Sequence, residues 1–490
     1  MSSIRQLVSQ TAIYGLSSIL GRFLNYLLVP LYTYTFAAGQ YGVVSEFYAY
    51  AGFFAVLLAF GLETGYFRFR QKPGLDAQKV YACSLSFLLV SSLIFFVAVW
   101  FCASDLSLSL QYPDHPEYVL SFAGILALDA LSALPFARLR AENRAWRFAG
   151  IKLTEILLTI ALNLAFLLWL PVLASEYALI AEYYQPQQAV AYIFYANLIA
   201  SGVKLLLLLP QFKAVNFTLD KQFLVPLLRY SLPMVIIGLA GMVNEMLDRA
   251  ILKQLLPYDN QTNLKMLGIY GACYKLSILM TLFVQAFRYA GEPFFFAYAG
   301  RSDAKAAYAL VMRYFVIAGV AIFLLVTLYI DFFKYFIGEE YRQGLAVVPI
   351  LLLANLCLGI YVNLSVWYKL SDRTGLGAWV ALAGAVLTIG LNILWIPEWG
   401  YLGSAWATLV CYAFMTLLSW GLGRYFYPVP YPLVKMSFYL GLGLTLYALN
   451  PILQTELQLN LWLSATACML FYLLVVVVLD VRPLLRRRAA

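Results

Sequence analysis

The stretch RYSLPMVIIGLAGMVNEMLDRAIL (residues 229–252) is long and apolar enough to span a bilayer, yet it carries Glu245, Asp248 and Arg249 near its end. A second apolar stretch, GIYGACYKLSILMTLFVQAFRYAGEPFFF (residues 268–296), contains Lys275 and Arg288. A cation placed in hydrocarbon costs roughly 3 kcal/mol on insertion scales. The pattern therefore predicts that these side chains face partners or a wet cavity rather than lipid.

The composition of the whole chain is typical of a membrane protein. Of its 490 residues, 63% are hydrophobic and 12% are charged, and the mean hydropathy is +0.80. Long apolar runs recur without the period-two alternation of an outer-membrane barrel. These features predict an all-α polytopic membrane protein with about 14 transmembrane helices. The predicted spans are at about 9–36, 41–67, 80–101, 118–137, 148–171, 189–210, 226–251, 267–296, 307–330, 345–368, 375–396, 400–422, 433–450 and 460–479.

The placement of the basic residues predicts the orientation of these spans. Of the 33 Lys and Arg residues, 25 fall on the side of both termini, four fall on the opposite side, and four lie in or at the edge of spans. Because loops on the cytoplasmic side carry the excess of basic residues, both termini are predicted to be cytoplasmic. The net charge of +9 follows from this asymmetry, so it does not indicate binding to nucleic acid.

A weak internal repeat indicates that the chain consists of two related halves. One gap-free offset aligns Gly42 with Gly268, Tyr48 with Tyr274, Gly65 with Gly291 and Phe69 with Phe295. The repeat predicts a six-helix N-terminal lobe at residues 1–215 and a six-helix C-terminal lobe at residues 216–424. Residues 425–490 then supply two further helices and a basic tail.

The motifs of common catalytic and metal sites are absent from the sequence. It contains no GxxxxGK[ST] loop, no GxSxG turn and no HExxH helix. The six cysteines are scattered, mostly within apolar runs, without a CxxC pair. We therefore expect neither an enzyme nor a bound metal or cofactor.

Several segments resemble the polysaccharide-exporter branch of the multidrug/oligosaccharidyl-lipid/polysaccharide exporter superfamily (the MOP superfamily), which includes Wzx-type O-antigen flippases and the more distant MurJ. The resemblance is carried by VPLYTYTFAAGQYGVVSEFYAY (29–50), FGLETGYFRF (60–69) and the two stretches quoted above, and it extends over nearly the whole chain. It is most specific at Tyr41-Gly42, at 229–233, at Asp248-Arg249 and at 288–293. Fourteen spans match MurJ-like members, whereas many Wzx proteins have twelve.

The resemblance implies two six-helix lobes around a central cavity that opens alternately to either side of a bacterial cytoplasmic membrane. It also implies a cargo, a polyprenyl-pyrophosphate-linked oligosaccharide for O-antigen, capsule or exopolysaccharide synthesis. A lipid II flippase and a cation-coupled multidrug exporter of the same fold are the alternatives. A membrane glycosyltransferase or polymerase is disfavoured because no outer loop is long enough for a catalytic cluster. Membrane lipids, a polymerase and glycosyltransferases are the expected partners.

Three basic residues are candidates for binding this anionic cargo. Arg22, Lys275 and Arg288 lie within apolar runs, and a pyrophosphate taken out of water needs fixed cations. Each could instead form a structural ion pair or reach an interface, and Glu292 stands one turn after Arg288.

The acidic residues within spans allow two interpretations. Glu245 precedes Arg249 by four residues, and with Asp248 these three side chains predict a structural ion pair or a gating pair. Glu63, Asp129 and Glu155 are candidates for proton coupling, because burial raises the pKa of a carboxyl group. Each could instead pair with a nearby base, Glu63 with Arg68 or Arg70 and Glu155 with Lys152.

Overall fold

The computed structural model describes residue 15 and residues 17–482, apart from residues 214, 457 and 459. The described residues form helices and connecting turns and contain no strand, so the predicted all-α fold is confirmed. Backbone NH and carbonyl groups inside a bilayer must hydrogen-bond within the protein, because lipid offers them no partner. A long apolar segment meets this requirement by folding as a helix. The chain divides into two compact units, Met1–Gly268 (unit 1) and Ile269–Ala490 (unit 2).

Unit 1 is built from eleven of the described helices and the first part of a twelfth. In chain order they are α1 (Leu28–Thr35), α2 (Ala38–Ala59), α3 (Leu62–Arg70), α4 (Ala77–Phe101), α5 (Ala103–Ser109), α6 (Pro116–Ala141), α7 (Ala145–Leu164), α8 (Leu170–Glu176), α9 (Ala178–Tyr183), α10 (Ala189–Leu208) and α11 (Lys221–Leu255). The unit boundary falls within α12 (Asn260–Leu276). A buried cluster that includes Leu62, Tyr81 and Leu134 joins α3, α4 and α6, and Leu227 adds α11 to it.

Unit 2 contains the remaining described helices. They are α13 (Ile278–Tyr298), α14 (Ala304–Leu328), α15 (Ile330–Phe333), α16 (Val347–Leu364), α17 (Val366–Leu370), α18 (Thr374–Phe426), α19 (Leu433–Glu456) and α20 (Leu461–Val476). Ala354 of α16 packs with Val380 and Tyr412 of α18 in one buried cluster.

Eleven helices in the described part of the chain are long and apolar enough to cross a membrane, or twelve if α12 and α13, bent by 52°, count as one span. This protein is therefore a multi-pass membrane protein. Helix α18 has 53 residues and loses helical geometry at Gly400, where φ is 59° and ψ is −142°. A straight helix of that length would extend about 80 Å, against ~30 Å of hydrocarbon, so the kink separates two spans, as predicted. The first predicted span lies partly outside the described residues, and the total of fourteen stays a prediction.

Two left-handed residues interrupt the second predicted span. Phe60 and Gly61 have φ values of 49° and 62°, and they end α2 and begin α3. The sequence predicted one continuous helix here, because the apolar run gives no sign of the break. The predicted lobe boundaries at residues 215 and 424 stay a prediction.

Candidate functional site

Arg288 lines a pocket of about 210 Å³ in unit 2. Lys369 of α17 adds a second cation, and Tyr361 and Tyr368 add aromatic walls. No carboxylate is among the described residues that line the pocket. The side chain of Glu292, the partner expected for Arg288, lies outside the described part of the chain. Two cations among aromatic rings suit an anionic ligand that also has an apolar or saccharide face.

A local break in the helix shapes this pocket. Helix α16 ends where Ser365 donates its hydroxyl to the carbonyl of Val362 at 2.6 Å, and α17 follows immediately. Ser365 and Val366 line the pocket together with Tyr361 and Lys369 on either side of the break. A hydroxyl that bonds to its own preceding turn bends a membrane helix without leaving a carbonyl unpaired.

The other two predicted cationic residues, Arg22 and Lys275, are not among the described residues that line this pocket. Arg22 is exposed on the helical segment 17–26 of unit 1. Lys275 belongs to unit 2, is half-buried in the last turn of α12, and interacts with at least one other group. A cavity shared by Arg22, Lys275 and Arg288 stays a prediction.

Lys204 joins two of the predicted proton-coupling carboxylates in unit 1. Its ammonium group lies 2.6 Å from Asp129 on α6 and 2.6 Å from Glu155 on α7. The Lys204 side chain is 3% exposed and that of Glu155 16%, whereas Asp129 is 45% exposed. Ser201 donates to Asp129 at 2.7 Å, and Lys152 pairs with Glu155 at 3.2 Å, as the sequence suggested. We call Lys204, Asp129 and Glu155 the Lys204 triad.

Glu63, the third candidate, pairs with Arg140 of α6. The sequence suggested Arg68 or Arg70 because they are close along the chain. Both follow Glu63 on the short helix α3, whereas Arg140 approaches from the packed neighbouring helix α6. Proximity in the fold therefore decided the partner.

The most deeply buried ion pair of unit 1 in the described residues joins α2 to α11. Glu46 is fully buried and Lys253 is 2% exposed, with 3.0 Å between carboxylate and ammonium. Lys253 also donates to the carbonyl of Leu110 at 2.7 Å, and Tyr50 donates to Glu46 at 2.8 Å. The phenol hydroxyl of Tyr112 donates to the other carboxylate oxygen of Glu46, Oε2. Burial, together with the Glu46 charge, raises the pKa of the Tyr112 phenol well above its ordinary value, which keeps it a donor.

Asp248 and Arg249 form an ion pair between neighbours in sequence. The guanidinium Nε lies 3.3 Å from the Asp248 carboxylate, and the backbone NH of Arg249 donates to the same oxygen at 2.8 Å. Arg249 also donates to the backbone carbonyl of Glu245. The sequence anticipated a pair with the Glu245 side chain, but the guanidinium folds back onto its own helix.

Unit 2 also contains a buried cluster of charged and polar side chains that the sequence analysis did not predict. Asp480 has a side chain that is 1% exposed and pairs with Arg313 of α14 at 3.1 Å. Tyr439 of α19 donates its phenol to the same carboxylate. The cluster ties α19 and the π-helical turn that follows α20 (Val477–Val481) to α14.

Sequence reasoning missed Glu46, Lys204, Lys253 and Asp480 as buried charges. Glu63 and Arg288 became candidates because each is a lone ionisable residue in an apolar run. The same signal is present at Glu46 in VVSEFYAY and at Asp480 in VVVVLDVR, so both could have been found from the sequence. Lys204 and Lys253 stand near predicted span ends, where a lysine ordinarily reaches water. Only the packing of the helices shows that these two are enclosed.

Comparison with known proteins identifies the fold and the family. A search among curated proteins gave no match. The solved structure of the lipid II flippase MurJ in an inward closed conformation is 14% identical, with a TM-score of 0.67 over 96% of this chain and 98% of that one. An inward-facing multidrug resistance MATE transporter of the MOP superfamily is 13% identical, with a TM-score of 0.66 over 85% of this chain and 94% of that one.

A second exporter of this fold matches to a similar extent. The MATE multidrug transporter DinF-BH is 16% identical, with a TM-score of 0.60 over 86% of this chain and 96% of that one. The family profile described as "Polysaccharide biosynthesis protein" matches residues 7–298, which is more than half of the sequence. The chain therefore belongs to the polysaccharide biosynthesis protein family and has the fold of the MurJ and MATE transporters.

Proposed function

We propose that this protein is a flippase that moves a polyprenyl-pyrophosphate-linked oligosaccharide from the cytoplasmic to the outer leaflet of a bacterial cytoplasmic membrane. The observation that carries the proposal is the Arg288 pocket, a cavity that Arg288 and Lys369 line together with aromatic side chains. Membership of a polysaccharide biosynthesis family and a fold shared with a lipid II flippase support it. The product would serve O-antigen, capsule or exopolysaccharide synthesis, with a polymerase and glycosyltransferases as partners.

The charge of the pocket supports an anionic cargo. A pyrophosphate moving out of water loses hydration, and a guanidinium replaces it with paired, charge-assisted hydrogen bonds. Tyr361 and Tyr368 supply faces on which sugar rings can stack. Arg22 and Lys275 would meet the same phosphates at other stages of the cycle. A cationic drug would instead need an acidic pocket.

The Lys204 triad is the proposed site of proton coupling. Lys204 faces two carboxylates, so protonating either one leaves the ammonium paired with the other. The Asp129 side chain is 45% exposed, so it forms the open side of the triad, whereas Lys204 and Glu155 are largely enclosed. Glu63 is the less suitable candidate, because in the described part of the chain its salt bridge joins it to Arg140 alone, so protonating Glu63 leaves Arg140 without a second carboxylate to pair with.

Two ion pairs on α11 are proposed to take part in gating. On the predicted orientation, Glu46 and Lys253 lie near the outer ends of α2 and α11, and Asp248 and Arg249 lie about one turn before Lys253. Opening the outer side would separate α2 from α11 and break the Glu46–Lys253 pair.

Translocation by the purified protein in liposomes tests this function. The probe is a fluorescent polyprenyl-pyrophosphate oligosaccharide, and the variants are Arg288→Ala and the matched Arg301→Ala, an exposed arginine of the same unit. Wild type should move the probe, and Arg288→Ala should slow it by at least about tenfold, the cost of losing one hydrogen bond to a charged group. Arg301→Ala should transport like wild type.

The same liposomes test the cargo class and the coupling ion. Asp129→Asn and Glu155→Gln should remove the response to an imposed pH gradient while leaving probe binding intact. Efflux of a cationic dye without movement of the lipid-linked sugar would overturn the proposal in favour of a drug exporter. Transport of lipid II at the rate of the oligosaccharide probe, or faster, would reassign the cargo.

A further inference from the structure

A second pocket of unit 2 lies where α18 ends and α19 begins. It has a volume of about 400 Å³, and Trp367, Trp420, Tyr427 and Tyr431 form much of its wall. It shares no lining residue with the Arg288 pocket, and the two pockets use different residues of the α16–α17 region. The second pocket is therefore a separate site. We call it the α18–α19 pocket.

The pocket is held open by rigid parts of the chain. The linker between the two helices reads YPVPYP (residues 427–432), and its three prolines restrict the backbone to extended conformations. Trp367 donates its indole NH to the carbonyl of Ser419 at 3.1 Å and packs closely against Gly423, where an added Cβ would lie 3.0 Å from the ring. A pre-formed aromatic pocket of this kind costs little conformational entropy when a ligand enters.

The charge of the pocket selects an anion. Arg424 carries the only charge among the described residues that line it, and its guanidinium lies 5.9 Å from the ring of Trp420. Two further cations lie against neighbouring rings: Lys305 is 4.9 Å from the ring of Tyr427, which lines the pocket, and Arg373 is 4.2 Å from the ring of Phe426, the preceding residue. Cations held against aromatic rings keep donors free for an oxyanion such as a phosphate.

The surroundings of the pocket indicate an amphiphile. Leu433 lines the pocket and is 43% exposed, and the adjacent Val434 is 85% exposed. Tyr425, next to Arg424 along the chain, is 81% exposed. Apolar side chains exposed on a membrane helix face lipid, so acyl chains can lie beside this pocket while a headgroup enters it.

We propose that the α18–α19 pocket binds the phosphate headgroup of an anionic phospholipid from the leaflet in which the pocket lies. The basic-residue asymmetry assigns that leaflet to the cytoplasmic side, and this assignment rests on the orientation proposed above. Arg424 contacts the phosphate, Trp420 and Tyr427 enclose the headgroup, and the acyl chains lie along Leu433 and Val434. This lipid is distinct from the cargo.

Native mass spectrometry of the full-length protein in detergent tests the site without a transport assay. Phosphatidylglycerol and phosphatidylcholine are added separately to wild type, Arg424→Gln, Arg424→Lys and the matched control Arg301→Gln. Wild type should prefer phosphatidylglycerol, and Arg424→Gln should bind it about fivefold more weakly, the fold-change expected for one basic residue near an anionic headgroup. Arg424→Lys keeps the charge and should bind close to wild type, as should Arg301→Gln.

The outcomes separate this proposal from the proposed transport function. Equal binding of phosphatidylglycerol by wild type and Arg424→Gln overturns the lipid site, whatever the protein transports. If the lipid-linked oligosaccharide displaces the phospholipid, and Arg424→Gln loses affinity for the oligosaccharide, the pocket belongs to the cargo and the assignment is again wrong. Failure of liposome transport alone leaves the binding result intact.

Discussion

The buried pair of Glu46 and Lys253 is stabilising only as a pair. Removing one partner leaves the other charge enclosed with no counter-ion, which typically costs about 3–5 kcal/mol. We expect Lys253→Met to lower the free energy of unfolding by that amount, measured as a lower midpoint of thermal unfolding in detergent. The double variant with Glu46→Gln should recover most of the loss, because no unpaired charge remains.

The exposed pair of Arg301 and Asp303 is the control for this prediction. Both side chains are 57% exposed, so water replaces the lost interaction when Arg301 is changed to Met. The thermal midpoint of Arg301→Met should equal that of wild type. Equal losses in Arg301→Met and Lys253→Met would contradict a special role of burial at Glu46.

At the scale of the helices, α2 and α12 approach each other backbone to backbone. A Cβ at Gly42 would collide with the carbonyl of Leu264, and a Cβ at Gly268 would collide with the carbonyl of Ala38. Gly42 and Gly268 are one of the four residue pairs that the predicted internal repeat aligns, and within unit 1 they lie side by side.

Substitution of these glycines tests the close approach. Gly42→Ala should lower the free energy of unfolding by about 1–3 kcal/mol, because the helices must move apart. Gly39 lies on the same helix with open space around it, so Gly39→Ala should be neutral or stabilising by up to about 1 kcal/mol. Chemical denaturation in detergent measures both. A Gly42→Ala variant as stable as Gly39→Ala would show that the helices do not meet there.

At the scale of the whole molecule, the orientation in the membrane rests on the distribution of basic residues. Gln261 and Ser302 are both exposed and lie on opposite sides of the predicted span 267–296. In a cysteine-free background, Gln261→Cys should react with an impermeant maleimide in intact spheroplasts. Ser302→Cys should react only after the membrane is opened. The reverse pattern would place the termini and the α18–α19 pocket on the outer side of the membrane, opposite to the proposed orientation.

Much of the architecture follows from local properties of the sequence. Apolar runs about as long as the bilayer is thick become helices, because lipid offers no partner to an unpaired backbone group. The kink at Gly400 falls between two predicted spans for the same reason. Arg288 could be chosen from the sequence as a candidate binding residue, because a cation in an apolar run is costly unless it faces a cavity. In the structure, Arg288 lines a pocket.

Most partners of the buried charges were decided by the tertiary structure. Glu46 and Lys253 are 207 residues apart, and Lys204 reaches Asp129 and Glu155 across 75 and 49 residues. Reasoning from nearby residues paired Glu155 correctly with Lys152 but gave Glu63 the wrong base, since Arg140 approaches from a neighbouring helix. Sequence spacing determines which side chains share a helix face. Where desolvation is costly, a charge pairs with whatever group the packing of other helices brings within hydrogen-bond distance, and that packing is a property of the fold.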